Sequence, residues 1–218
     1  MLEEADMGIP TEKEWKEALA KRQGRELLER FQNASVAVCG LGGLGSCIAL
    51  CLARAGIGKL ILIDYDRVDL SNLHRQQYKP KQIGLFKTDA LAENLKEINP
   101  YIRLETITEK ITDDNFFKLL KNAQIVCEAF DDPEAKAVLV NGVLEKFPEK
   151  YLIAASGMAG LESANSIHTR KVMRHFYLCG DECSDVENSI GLTASRVMIC
   201  ASHQAHMVLR ILAEKKDA

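Results

Sequence analysis

Short apolar runs alternate with amphipathic stretches along most of the chain, from residue 35 to residue 155. Short apolar runs that end at glycine or a polar residue are typical of buried strands, and longer stretches with apolar positions three and four residues apart predict helices. Strands that alternate with helices predict a parallel sheet. The predicted strands cover residues 35–40, 59–64, 103–107, 124–129 and 151–155, and the predicted helices cover residues 44–55, 85–99, 113–122 and 133–147.

The alternation weakens after Gly157. NSIHTRKV and RHFYL are typical of strands and have no helix between them, and the apolar stretch after Thr193 predicts a closing helix. We therefore expect an α/β fold whose mixed sheet is parallel in its N-terminal part, has antiparallel C-terminal strands and carries helices on both faces.

The N-terminal segment predicts a helical arm. Thr11 and Glu14 have the spacing of a capping box, and an apolar stripe follows with a break at Gly24. The length of 218 residues is usual for one domain. We assign residues 1–33 to the arm and residues 34–218 to a single globular domain.

Composition narrows the classes of function. The net charge of −3 is too mild to indicate a nucleic-acid or membrane surface. The first residues lack the basic start and apolar centre of a secretion signal, and no apolar stretch is long enough to span a bilayer. Seven scattered cysteines fit reduced thiols better than a disulfide framework. We expect a cytoplasmic protein.

Three glycines, Gly40, Gly42 and Gly45, stand between a predicted strand and a predicted helix with the spacing of a phosphate-binding turn. Glycine lets the backbone approach a phosphate, and the amides at a helix N-terminus attract an anion. Asp64 ends the second predicted strand, where a carboxylate can accept hydrogen bonds from ribose hydroxyls. A turn that only packs against the sheet is the alternative, but strand, turn, helix and acid together favour a Rossmann-like nucleotide site.

The segment after Asp64 supplies cations that a dinucleotide site does not need. Connections of this kind usually have about two to six residues, whereas this polar one has roughly twenty. Its candidate ligands, with one on the next helix, are Asp66, Asn72, Arg75, Gln76 and Lys87. Arg75 as a forked donor and Lys87 as a point charge suit a triphosphate. On composition alone, the alternative that this segment is only a solvated surface loop stays open.

Several segments carry a resemblance to one family. They are GLGGLGS at 40–46, DYDRVDLSNLHRQ at 64–76, the lysine of GLFKTDAL and the aspartate of EAFDDP. Together they resemble the ThiF/MoeB family of ubiquitin-activating-like adenylyltransferases, with SNLHRQ as the most specific segment. The short chain and the segment GDECSDVENSIGLTASRV are similar to the compact ThiF members that adenylate the sulfur carrier ThiS in the thiazole pathway of thiamine biosynthesis.

The resemblance implies binding of ATP and Mg²⁺. It gives Gly42 and Gly43 contacts with the nucleotide and Asp64 contacts with the ribose, and it assigns four residues to the phosphates, namely Asn72, Arg75, Gln76 and Lys87. Asp131 would bind the magnesium ion and orient the substrate carboxylate, so Arg75, Lys87 and Asp131 are the expected catalytic residues. The resemblance also implies a homodimer in which Arg22 or Arg25 of the partner's arm reaches the site.

The chain departs from the family pattern in two places. Asp132 and Lys136 stand where the family usually has asparagine and arginine, which keeps the charge of the cation but adds an acid beside Asp131. MoeB-like members have two CxxC pairs for zinc, whereas Cys179 and Cys183 form a single CxxxC pair. Since a structural zinc site needs four ligands, this argues against zinc.

Two further features admit functional and ordinary interpretations. Cys183 lies in a polar segment, where it is either an inert exposed thiol or the site of a covalent carrier link like that of some relatives. His203 and His206 have metal-ligand spacing on the closing helix, but no third ligand is nearby, so we interpret them as packed or capping side chains.

The sequence thus predicts an adenylyltransferase that activates the C-terminal Gly-Gly carboxylate of a ubiquitin-like sulfur-carrier protein. Four alternatives stay open: a MoaD-like carrier, a family member acting on tRNA threonylcarbamoyladenosine, an NAD-dependent oxidoreductase, and a non-catalytic scaffold.

Overall fold

The N-terminal arm consists of two helices, α1 (Glu12–Gln23) and α2 (Arg25–Asn33), in a computed structural model that describes residues 8–218. The predicted capping box is present, since the Thr11 hydroxyl accepts the Glu14 amide at 3.3 Å and the Glu14 carboxylate accepts the Thr11 amide at 2.8 Å. Gly24 separates the helices with a φ of +89°, a conformation that favours glycine. The predicted break is therefore confirmed, and the part of the arm assigned to residues 1–7 lies outside the described residues.

The sheet is mixed, as predicted. Its strands are β1 (Ser35–Cys39), β2 (Lys59–Ile63), β3 (Arg103–Ile107), β4 (Ile125–Glu128), β5 (Tyr151–Ala155), β6 (His168–Met173) and β7 (Phe176–Gly180). Their spatial order is β3-β2-β1-β4-β5-β7-β6. Every neighbouring pair is parallel except β6 with β7, which is antiparallel. Strand order reverses direction between β1 and β4, so the loops at their carboxyl ends diverge and leave a crevice.

Helices cover both faces of the sheet. One face is packed by α3 (Gly43–Ala55), α4 (Lys87–Ile98) and α7 (Ala194–Leu212), and the other by α5 (Phe116–Leu120) and α6 (Pro133–Lys146). Strand residues alternate between the two buried clusters: Val36 and Val38 belong to the first, Ala37 and Cys39 to the second. This is the period of two expected of a strand that is buried on both faces.

Two predicted elements differ from the structure. The helix predicted over residues 113–122 is shorter, because Asn115 accepts the Thr112 amide at 2.8 Å and donates to the Lys110 carbonyl at 2.9 Å, which holds a turn ahead of α5. The polar segment after β2 contains two short 3-10 turns, Leu70–Asn72 and Pro80–Gln82. Across residues 8–218, none of the helices combines the length and the apolar character needed to cross a bilayer.

A buried ion pair joins three segments in the C-terminal part of the fold. Arg196, 3% exposed in the first turn of α7, pairs with the carboxylate of Asp181 and donates to the carbonyls of Glu162 and Ser163 at 2.6 and 2.9 Å. Burial alone would raise the pKa of Asp181, but hydrogen bonds from Ser184, from the Cys183 amide and from Arg196 lower that pKa to about 2. The pair therefore joins the loop after β5, the loop after β7 and the start of α7.

The depressed pKa of Asp181 sets a pH dependence. The unfolded chain has an aspartate pKa of about 3.9, so the pair contributes fully above about pH 5 and loses its contribution as pH falls towards 2. Its upper size is about 2 to 3 kcal/mol. We expect Asp181→Asn to lower the free energy of unfolding at pH 7 and to have roughly half that effect at pH 3, measured by urea unfolding. The exposed Asp114→Asn serves as control, and an equal effect of Asp181→Asn at both pH values would contradict the assignment.

Candidate active site

A cleft of about 360 Å³ opens at the carboxyl ends of β1, β2, β4 and β5. One wall carries the glycine turn and the loop after β2, and the other carries the loops that follow β4 and β5. Of the predicted site residues, the structure brings Gly40, Gly42, Gly43, Asp64, Asp66, Arg75, Gln76, Lys87 and Asp131 to this cleft. Gly45 and Asn72 lie outside its lining.

The glycine turn places a bare helix N-terminus in the cleft. Gly42 is the N-cap of α3, and no side chain caps the first amides of this helix. Those amides and the helix dipole favour an anion at this point. Gly40 has a φ of +87°, and a Cβ there would stand 2.7 Å from the Ala129 carbonyl oxygen. Gly45 serves the packing of the turn itself, because a Cβ there would lie 1.8 Å from the Gly40 carbonyl oxygen.

Asp64 connects the glycine turn to the loop after β2. One carboxylate oxygen accepts the Leu41 amide at 2.6 Å, and the other accepts the Asp66 amide at 2.8 Å. Burial raises the pKa of Asp64, while the positive charge of Lys87 acts in the opposite direction. The carboxylate both lines the cleft and fixes the backbone on either side of it.

Lys87 occupies an electrostatically unfavourable place at the start of α4. A cation in the first turn of a helix opposes the helix dipole. Its side chain is 8% exposed, and its ammonium lies 2.7 Å from a carboxylate oxygen of Asp66. A buried lysine held against the local preference is typical of a functional site.

Arg75 and Gln76 enter the cleft from the same loop. The Arg75 guanidinium donates to the Ser71 carbonyl at 3.2 Å, and the Gln76 side chain is buried with its amide oxygen unpaired among the described residues. Asn72 instead organises the loop, since its carbonyl accepts the amides of Arg75 and Gln76 at 3.1 and 3.0 Å. Asn72 thus holds the backbone that presents these two side chains.

The opposite wall carries two acids in different environments. Asp131 is exposed at the cleft. Asp132 is the N-cap of α6 and accepts the amides of Glu134 and Ala135 at 3.1 and 3.3 Å. Aspartate and asparagine serve equally well as N-caps, which accounts for the acid where the family usually has asparagine.

Glu128 forms an ion pair that the sequence interpretation did not identify. Its side chain is fully buried at the end of β4, and one carboxylate oxygen lies 2.5 Å from the ammonium of Lys136 on α6. Burial raises the pKa of Glu128, and the charge of Lys136 opposes that shift. The signal available was a single acid in the apolar run QIVCEA. Its partner was not evident, because the two residues belong to different elements.

The remaining candidates lie away from the cleft or lack an activating environment. Arg22 and Arg25 are exposed on the arm, which packs through Leu19 and Leu28 against Gly56 at the amino edge of the sheet. An arginine of the arm is therefore remote from the cleft of the same chain.

The two cysteines of the CxxxC pair have different surroundings. Cys179 is buried, and burial raises its pKa to about 11. Cys183 is exposed, and partial desolvation together with the negative charge of Asp181 raises its pKa, which leaves less reactive thiolate at neutral pH. Among residues 8–218, no three His, Cys, Asp or Glu side chains are grouped as metal ligands.

His203 and His206 differ in burial although they share one helix. The ring of His203 is hydrogen-bonded to the Thr169 hydroxyl at 3.0 Å, and burial lowers its pKa. His206 is exposed. The hydrogen bond of His203 fits the ordinary interpretation of a packed side chain.

A mostly parallel sheet with a glycine turn, an uncapped helix start and an acid at the end of the second strand defines a Rossmann-like nucleotide-binding protein. The chain belongs to the ThiF family, whose sequence pattern it matches over residues 16–218.

Individual relatives share part of the chain. It is 50% identical over 93 residues to ubiquitin-like modifier-activating enzyme 5 of Drosophila virilis, covering 42% of this chain and 23% of that protein. It is 32% identical over 149 residues to the adenylyltransferase and sulfurtransferase UBA4 of Lodderomyces elongisporus, covering 63% and 32%. These matches span about a quarter to a third of the relatives' length.

The fold is shared with a solved structure over nearly its whole length. The Escherichia coli tRNA N6-threonylcarbamoyladenosine dehydratase TcdA, in complex with ATP, superposes with a TM-score of 0.84 and 22% identity. The superposition covers 95% of this chain and 98% of that one.

The close packing at Gly45 makes a direct test of the glycine turn. We expect Gly45→Ala to displace the Gly40 carbonyl, to lower the free energy of unfolding by about 1 to 3 kcal/mol and to weaken ATP binding at least about tenfold. Urea unfolding and calorimetric titration with ATP measure the two effects. Gly8→Ala is the control, because a Cβ there meets nothing within 4 Å. Wild-type affinity in Gly45→Ala would remove this turn from the nucleotide site.

Proposed function

We propose that this chain uses ATP to adenylylate the C-terminal glycine carboxylate of a ubiquitin-like sulfur-carrier protein of the ThiS type, in thiamine thiazole biosynthesis. The products are the acyl adenylate and pyrophosphate. One observation carries the proposal: the cleft has an uncapped helix start with two cations on one wall and an exposed carboxylate, Asp131, on the other.

The first wall fits the polyphosphate of ATP. The free amides of α3 provide backbone donors, Arg75 provides a forked cation, and Lys87 provides a point charge. Gln76 adds a buried amide whose oxygen has no partner among the described residues, so this side chain is available to a ligand. The two cations, Arg75 and Lys87, favour the triphosphate of ATP over a nicotinamide dinucleotide, because hydride transfer needs no extra cations.

The second wall fits Mg²⁺ bound between protein and substrate. Magnesium usually takes one or two carboxylates together with substrate phosphates, and Asp131 supplies such an oxygen ligand without a complete protein cage. When bound, the ion would neutralise charge on the phosphate oxygens. Ser156 and Gly157 of the loop after β5 line the same cleft as Asp131, and this wall would receive the carrier's C-terminus.

The reaction needs positioning more than proton transfer. A carboxylate is ionised at neutral pH, so it attacks the α-phosphorus of ATP without a general base. A bond forms between the carboxylate oxygen and the α-phosphorus, and the bond from that phosphorus to the bridging oxygen breaks, so that pyrophosphate leaves with the electron pair. Arg75 and Lys87 would stabilise the charge that develops on the phosphates.

A homodimer completes the proposal. Because Arg22 and Arg25 lie at the amino edge of the sheet, either could approach a cleft only when a second copy presents its arm. The names of the curated relatives, an activating enzyme for a ubiquitin-like modifier and an adenylyltransferase, support a protein carrier. The likeness to TcdA concerns the fold, and the net charge of −3 does not favour tRNA.

The substrate class is tested by incubating the protein with ATP and Mg²⁺ together with separate candidate substrates: ThiS-like carriers, MoaD-like carriers and threonylcarbamoyladenosine-containing tRNA. We expect pyrophosphate release and a carrier mass increased by one adenylyl group with a ThiS-like carrier. A carrier that lacks its terminal glycine is the control. Adenylate formed only on the tRNA, or on no carrier despite ATP binding, would reject the proposal.

The two walls are tested by removing one charge from each. Arg75→Ala and Asp131→Ala should each reduce adenylate formation about 100-fold or more, because each removes a group placed at the reacting phosphates. Matched controls are Arg54→Ala at the far end of α3 and Asp114→Ala in an exposed turn, both expected to keep the wild-type rate. Near-normal activity of either cleft variant, with an unchanged melting temperature, would remove that residue from the mechanism.

A further inference from the structure

Asp131 depends on its backbone for its direction. Among residues 8–218, its carboxylate has no hydrogen-bond partner, so the turn of residues 129–132 decides where it points. The start of this turn is held by Glu128, which accepts the Phe130 amide at 2.7 Å. The end is held by Asp132, which caps α6.

Lys136 connects both supports of this turn to the end of β5, on the same wall of the cleft. It lies on α6, one turn after the cap, and its ammonium donates to Glu128 at 2.5 Å and to the Ala155 carbonyl at 2.8 Å. Ala155 is the last residue of β5, directly before the loop that lines the cleft. A single ammonium thus joins α6, the end of β4 and the end of β5.

Buried hydrogen bonds surround this contact. The Glu128 oxygen that accepts the Lys136 ammonium also accepts the Ala155 amide at 3.4 Å, and the other Glu128 oxygen accepts the Phe130 amide. From α7, the buried Gln204 amide donates to the carbonyls of Glu128 and Ile153 at 2.8 and 3.2 Å. Because these carbonyls belong to adjacent strands, β4 and β5 are held together at the level of the turn.

We propose that Lys136 is a positioning residue for adenylylation, acting through Glu128 and the Ala155 carbonyl to fix Asp131 relative to the loop after β5, which would receive the carrier's C-terminus. This inference rests on the proposed function. A buried ion pair is weak evidence of a stabilising role, because apolar replacements are often as stable. The position of this pair at the cleft, with Lys136 itself part of the lining, supports a role in placing the reactants.

Three variants separate positioning from charge compensation. Lys136→Met removes the donor and leaves Glu128 buried without a counter-ion. Lys136→Arg keeps a cation that can donate to both acceptors. The double variant Glu128→Gln with Lys136→Met removes both charges. It leaves no unpaired buried carboxylate, so it can be assayed even if Lys136→Met alone does not fold. Lys59→Met is the matched control, because Lys59 forms a 2.6 Å pair with Glu105 and is the first residue of β2, at the amino ends of the strands and away from the cleft.

We expect Lys136→Met to lower kcat about tenfold or more and to raise the Mg²⁺ concentration for half-maximal rate, because small displacements at a reacting centre have large effects on rate. The dissociation constant for ATP, measured by calorimetry, should change less than about threefold, since the phosphates bind the other wall. Lys136→Arg should recover most of the rate. The double variant should regain the wild-type melting temperature but not the wild-type kcat.

Two results would overturn the positioning role while leaving the proposed function intact. One is a wild-type kcat and magnesium dependence in Lys136→Met. The other is a double variant that regains kcat together with its melting temperature, because the pair would then only neutralise charge. A wild-type chain that binds ATP but adenylylates no carrier would overturn the proposed function and the positioning role together.

Discussion

Two hydrogen bonds to Asp64 join the glycine turn to the loop after β2, the two parts of the wall proposed to bind the polyphosphate. One fixes the glycine turn through Leu41, and the other fixes the start of the loop after β2 through Asp66. The position of Lys87 follows, because its amide donates to the Asp66 carbonyl and its ammonium pairs with the Asp66 carboxylate. Without a carboxylate at this strand end, the Leu41 and Asp66 amides would lose the side chain that accepts both of them.

The long loop keeps its shape because buried side-chain amides replace the hydrogen bonds that a helix or strand would supply. Gln82 and Asn94 exchange hydrogen bonds at 3.0 and 3.1 Å, and Asn94 also donates to the Gln77 carbonyl at 2.8 Å. Tyr78 donates to the Leu41 carbonyl at 2.7 Å, which returns the loop to the glycine turn. Fully paired buried amides make an otherwise irregular segment rigid. Arg75 and Gln76 are therefore presented from a fixed backbone.

Local pattern predicted the fold well, because strand and helix periods are properties of short segments. It also placed Asp64 at a strand end and Lys87 at the start of a helix. The packing role of Gly45 was not predictable, since the spacing of the glycines does not say which one lines the cleft and which one packs against another carbonyl. The helix over 113–122 was too long because the side-chain turn at Asn115 competes with helix formation.

The partnership of Glu128 with Lys136 was beyond sequence reasoning for a different reason. It depends on how α6 lies across β4 and β5, and this arrangement is set by packing over the whole face. A sequence can show that a buried strand carries an acid, but it does not identify the counter-ion. Where a site is assembled from several strand ends, the packing of the folded chain decides which residues support it.

The exposure pattern of the thiols has a practical consequence. All seven cysteines lie within the described residues, and Cys183 alone is exposed, with Cys51 of intermediate exposure and the others buried. Cys183 lies beside the ion pair of Asp181 and Arg196, because its amide donates to Asp181. It also directly precedes Ser184, which lines the cleft. A fluorophore attached to this thiol would report on the environment of the loop after β7, next to the cleft, in the otherwise unaltered protein.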